Sequence, residues 1–348
     1  MRNVLILCFL GILLAMPVSA MEFEAPVPAG EAAKYLPQEA DSFAEGLWNV
    51  LKAGTAVLSP AFSEGMRCCL RVLGVMLLTA LAATVTPGLS ARTVDLAGVA
   101  AVSVLLLEQS ASLIRLGLET TEALRDYGRL LLPVMASAMA ARGGVSSAGA
   151  LYMGTAVFDT VLGSIVSSLL VPMLWMHLAL SVAGAALGEN TLEKLRDLIR
   201  WLMEWILKLS LYLFMGYMAV TGAVSGTADA AAARAAKIAI SGAVPVVGGI
   251  LADAADTVLL SASVLGSGAG IAGILAVLAI FWAPVLRIGV RYLLLKLTAA
   301  AGELLEGGRC TALVSQLAGT LGMMMALVST QTVLLLVSAV CFLRGVSG

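Results

Sequence analysis

Seven apolar runs dominate the chain, at 70–88, 94–116, 148–170, 171–187, 207–226, 257–284 and 317–343. Each approaches or exceeds the roughly 20 residues a helix needs to cross the hydrocarbon of a bilayer. Backbone polar groups in lipid must be satisfied within the segment, so these runs read as helices. Composition agrees: 60% of residues are hydrophobic, 12% are charged and mean hydropathy is +0.99. Soluble domains are about half apolar and about a quarter charged. The expected fold is all-α, a polytopic transmembrane bundle, and its 35 glycines favour close helix packing.

The organisation expected is a signal peptide over 1–20, an acidic extracytoplasmic segment over 21–65 and a transmembrane helical domain of about seven spans over 66–348. Arg2, the apolar core Val4–Leu14 and the small residues Val18-Ser19-Ala20 form a secretory pattern. An uncleaved first anchor is the competing reading. Glu22, Glu24, Glu31, Glu39, Asp41, Glu45 and Glu64 outweigh Lys34 and Lys52 in the next segment, which suits the outer face. Residues from about 41 to 65 read as a short amphipathic helix. A net charge of −1 gives no basic surface for nucleic acid. Vicinal Cys68-Cys69 makes neither a zinc pattern nor a redox motif, and the cysteines read as packing residues.

Three stretches depart from simple spans. Residues 130–142 are apolar but too short to cross alone, and read as a half-inserted hairpin or a buried turn. Residues 189–208, ENTLEKLRDLIRWLMEWILK, place Leu192, Leu195, Ile199, Leu202 and Ile206 at helical spacing opposite Glu193, Lys194, Arg196, Asp197, Arg200 and Glu204. Two readings stand for it: an interfacial helix lying along the membrane, or a solvated extension of the next span. The stretch Arg287–Arg309 carries Arg287, Arg291, Lys296 and Arg309 against Glu303 and Glu306, and its basic excess favours the cytoplasmic side. Starting outside and counting seven spans puts it outside, unless residues 240–252 also cross.

The chemistry of an enzyme is missing. His177 is the single histidine, which excludes HExxH and multi-histidine metal sites. Neither a GxSxG elbow nor a GxxxxGK[ST] loop occurs. No catalytic residue, metal site or cofactor is therefore expected. Glu108, Asp159 and His177 are the candidate intramembrane ionisable groups. Charge at that depth is costly, so each reads either as the lining of a polar passage or as an interhelical hydrogen-bond anchor.

The segment ISGAVPVVGGILADAAD, Ile240–Asp256, puts breakers inside oily sequence. Pro245 lacks a backbone donor, while Gly242 and the pair Gly248-Gly249 permit a turn or close backbone approach. Freed backbone groups at membrane depth must be buried in protein or line water. Ser241, Gly242, Pro245, Gly248, Gly249, Asp253 and Asp256 therefore form the candidate motif of a broken or re-entrant helix. An ordinary short loop is the alternative.

The run SGAVPVVGGILADAADTVL, the later APVLRIGVRYLLLKLTAAAGE and the stretch LLPVMASAMAARGG resemble the stage III sporulation protein AE family of endospore-forming bacteria. The resemblance covers most of the chain and is strongest from Leu131 to Glu303. It implies a multi-pass protein of the mother-cell membrane facing the forespore. Its implied partners are the other stage III sporulation A proteins and a forespore membrane partner, with a homo-oligomer also open. Together they would form a trans-envelope channel, related in part to specialised secretion systems, that supports late forespore development. The resemblance implies no catalytic residue and supplies no ligand site. A stand-alone secondary transporter working through Asp253 and Asp256 is the competing function, although no internal repeat accompanies it.

Overall fold

The computed structural model describes residues 26–28, 43–85, 91–141, 145–188, 190–220, 268–304 and 308–347. The described elements are all helical: α1 (Phe43–Val85), α2 (Ala91–Ala141), α3 (Val145–Ile165), a π-helical turn (Val166–Leu170), α4 (Val171–Leu187), α5 (Asn190–Val220), α6 (Gly268–Leu304) and α7 (Arg309–Ser347). Five of these stretches are long and apolar enough to cross a membrane: Glu45–Ala82, Thr93–Ala141, Ala148–Leu187, Gly270–Leu304 and Arg309–Leu343. The chain is a polytopic membrane-spanning bundle.

Close contacts fix the direction of each helix. Gly54 lies under the Trp282 indole and Gly65 under Leu294, so α1 and α6 run parallel. Gly98, Gly117 and Gly128 meet Cys310, Met324 and Leu335, so α2 and α7 run parallel too. Gly270 meets Leu343 and Gly302 meets Thr311, which sets α6 against α7 in opposite sense. His177 reaches Thr320 and Gly188 reaches Arg309, so α4 is antiparallel to α7. Gly184 faces Leu192, and Gly154 faces Tyr217, which makes α5 antiparallel to the α3–α4 rod. The helices thus alternate up and down. Helix termini at Val85, Ala91, Leu187, Asn190, Leu304 and Arg309 gather at one end. Those at Phe43, Ala141, Val145, Val220, Gly268 and Ser347 gather at the other. Val220 and Gly268 therefore lie at the same end.

The core sits on α6 and α7, which are buried over most of their lengths. Helix α7 touches α2, α3, α4, α5 and α6, while α1 packs mainly on α6. Small residues permit this. A Cβ at Gly54 would collide with the Trp282 ring, and one at Gly154 would collide with the Tyr217 ring. Lipid tails are as apolar as leucine, so such interlocking, rather than oil leaving water, holds membrane helices together.

Several expectations are corrected here. The runs 148–170 and 171–187 form one span, not two, because the helix continues through Pro172. A π turn over Val166–Leu170 lies immediately before that proline, where a missing donor is readily absorbed. Residues 130–141 form no hairpin or turn. They complete the 51-residue α2, with Pro133 on an exposed side of the helix. The amphipathic stretch from about 41 to 65 is continuous with the first span, so the boundary drawn at 65/66 falls inside α1. Of the two readings of 189–208, the structure has a single 31-residue helix that runs lengthwise along the bundle into the following apolar run. Its interior side carries Ile199, Met203, Leu207, Phe214 and Met218. Its outer side carries Leu195, Leu198, Trp201, Trp205 and Tyr212. Cys68, Cys69, Cys310 and Cys341 are buried and form no disulfide.

Candidate functional site

Among the described residues, the buried polar groups include three clusters that join helices, and the expected residues enter two of them. His177 on α4 is 2% exposed, with Nδ1 3.0 Å from Thr320 Oγ1 of α7. Thr320 Oγ1 also lies 3.2 Å from the Gln316 carbonyl, to which it donates. A hydroxyl has one proton, so Thr320 accepts from His177, which assigns the imidazole proton to Nδ1. Ser181 Oγ donates to the His177 carbonyl at 2.8 Å. Arg200 of α5 reaches Gly319 of α7, beside Thr320. The Gln316 Oε1 and Arg196 Nη1 atoms are buried without a hydrogen bond.

The second cluster lies nearer the other end. Asp159 of α3 accepts from Gln331 Nε2 of α7 at 3.0 Å. Arg125 of α2 packs its guanidinium over Gly163, one helical turn further along α3. Arg125 Nε and Gln331 Oε1 are buried without a hydrogen bond. Phe158 beside Asp159 meets Phe214 of α5 edge-on, with ring centroids 5.4 Å apart.

The third cluster involves none of the expected residues. Arg291 of α6 is 8% exposed, and its Nη2 lies 3.7 Å from Glu64 Oε1 of α1. Its Nη1 is buried without a hydrogen bond. The pair ties α1 to α6 at mid-height.

Glu108 stands apart, exposed on the outer face of α2. Ser241, Gly242, Pro245, Gly248, Gly249, Asp253 and Asp256 lie outside the described residues. Sequence reasoning passed over Thr320, Gln331, Arg125 and Arg291. Thr320 and Gln331 were findable as polar residues within an apolar run, spaced to share one face of α7. Arg125 and Arg291 sit in charged stretches, where nothing local separates an inward arginine from its solvated neighbours.

Among the described residues, no group of three or more His, Cys, Asp or Glu is placed to hold a metal. Each cluster joins two or more helices by charge or hydrogen bonding, an arrangement suited to fixing helix register in lipid.

Comparison with curated proteins finds no match, and comparison with solved structures finds none. The family described as Stage III sporulation protein AE matches residues 51–344, a range that takes in nearly every helix above, and the chain belongs to that family.

Proposed function

We propose that this chain is a non-enzymatic structural subunit of the mother cell–forespore channel, held in the mother-cell membrane. Family membership makes it a multi-pass membrane component of the sporulation trans-envelope apparatus. The observation that carries the reading is the extent of the family match. It covers 51–344, and so the whole interlocked bundle rather than one detachable motif. The partners we assign are the other stage III sporulation A proteins, a forespore membrane protein and further copies of the chain. We assign the segment with Ser241, Gly242, Pro245, Gly248, Gly249, Asp253 and Asp256 to partner contact or to the channel path, since breakers within oily sequence need protein or water around them.

The test is deletion of the gene in sporulating cells, with a reporter of late forespore gene expression. Loss of that expression is expected, and normal spores would overturn the reading. Replacing Gly248 and Gly249 by leucine should abolish co-purification with the other stage III sporulation A proteins while the chain still reaches the membrane. If the purified chain alone moves a solute into liposomes, and Asp253→Asn stops the flux, the transporter reading replaces this one.

A further inference from the structure

The outer face of α2 changes character along its length. Its exposed residues begin as Leu96, Ala97, Ala100, Ala101 and Val104, a set that lipid accepts. They continue as Glu108, Ser112, Arg115, Glu119, Glu122, Asp126 and Arg129. The steps between these are three or four residues, so all lie on one stripe along the helix. Six of the seven are charged, and the stripe extends roughly 32 Å at 1.5 Å per residue. One internal ion pair, Arg129 to Asp126 at 3.2 Å, sits on it, with both side chains largely exposed. Hydrocarbon cannot receive such a stripe.

Level with its last two turns, from Glu122 to Arg129, other sides of the bundle are oily, whereas further back α5 exposes Arg200, Glu204 and Lys208. Arg125 on Gly163 and Leu335 on Gly128 put this part of α2 beside α3 and α7. There α3 exposes Met153, Val157 and Val161. Phe214 meets Phe158, which brings the neighbouring part of α5 to the same height, where it exposes Leu209, Tyr212 and Leu213. A polar stripe is repeated on α1, whose exposed residues include Lys52, Thr55, Ser59, Ser63 and Arg67. Contacts of Gly54 with Trp282 and of Gly273 with Leu131 place that part of α1 near the height of the α2 stripe. One level of the molecule therefore has an oily side and a charged side. A level standing wholly in bulk water would leave the α3–α5 side uncovered, and one standing wholly in lipid would strand the α2 charges.

We propose that the face of α2 from Glu122 to Arg129 borders an aqueous passage at membrane depth, while the α3–α5 side of the same level faces lipid. The idea deepens the channel reading above and rests on it: this face would be the chain's share of the wall of the path. Water is the occupant assigned. Charges of both signs along the stripe suit a hydrated wall better than a site for one ion.

The experiment uses the full chain in its native membrane, with its five cysteines replaced by alanine. Single cysteines are placed at Glu122, Asp126 and Arg129 on the stripe, and at Val157 and Val161 on α3. Ala123→Cys, a neutral exchange at an exposed position of the same turns, serves where a charge proves necessary for folding. A charged, membrane-impermeant thiol reagent is then applied to sporulating cells. Stripe positions should label at least about tenfold faster than the α3 positions, because the reactive thiolate does not form in hydrocarbon. Equal labelling of both sets would mean bulk water all round and would overturn the proposal. So would protection of the stripe, which would mean that lipid or a tightly seated protein covers it. Neither result bears on the deletion phenotype, so failure of the passage and failure of the sporulation role are separable.

Discussion

Asp159 sits in a helix that hydrocarbon alone would not tolerate, and the Gln331 amide is what it bonds to. The two partners are not equivalent under substitution. Asp159→Asn keeps an oxygen to accept from Gln331, so folding should survive. Gln331→Leu leaves the carboxylate without its donor, and should cost about 1–3 kcal/mol. Thermal melting of the detergent-solubilised chain should show the leucine variant melting well below the asparagine one; equal melting would remove the pair from the account. Gly188 makes a second residue-scale case. It ends α4 at φ 68°, with its N–H bonded to the Gly184 carbonyl at 2.7 Å. The Arg309 guanidinium lies against it and reaches the Ala186 carbonyl at 3.5 Å, a cation at a helix C-terminus. Gly188→Ala should cost about 1–2 kcal/mol from the left-handed backbone, measurable as the same kind of melting shift.

At the scale of elements, the π turn before Pro172 decides how many spans the chain has. A wide turn absorbs one extra residue and redirects every side chain beyond it. Asp159 lies before that turn and His177 after it, and both find partners on α7. Inserting one alanine after Ser168 should exceed what the turn absorbs and swing α4 by about 100°. His177 would then lose Thr320, and folded protein in the membrane should fall sharply, whereas Ser168→Ala should leave the yield unchanged. Matching yields for the two variants would show that the turn is incidental. The sequence marked this place correctly with Pro172 but gave the wrong sense, since a proline in a membrane helix only ends it where neighbours cannot accept the freed backbone.

For the whole molecule, merging 148–170 with 171–187 resolves a conflict of charge. The acidic N-terminal segment favours an outer start, and the stretch Arg287–Arg309 favours the inside. With seven separate spans these disagree unless 240–252 also crosses. With α3 and α4 as one rod, and with Val220 and Gly268 at one end, they agree. Reporter fusions should therefore place 86–90, Gly188 and 305–308 in the cytoplasm, and 142–144 outside. A cytoplasmic reading at 142–144 would refute this orientation.

The amino-acid order alone determined that the chain is helical, multi-pass and poor in catalytic groups, because the length and oiliness of a run are local properties that a bilayer reads directly. It also carried the family likeness from Leu131 to Glu303. Which runs fuse, which arginines turn inward and which face of α2 bears its charges together were settled only by packing. Those outcomes depend on what each helix meets across the bundle: Gly163 makes room for Arg125, Gln331 waits for Asp159, and neither partner is near the other in sequence.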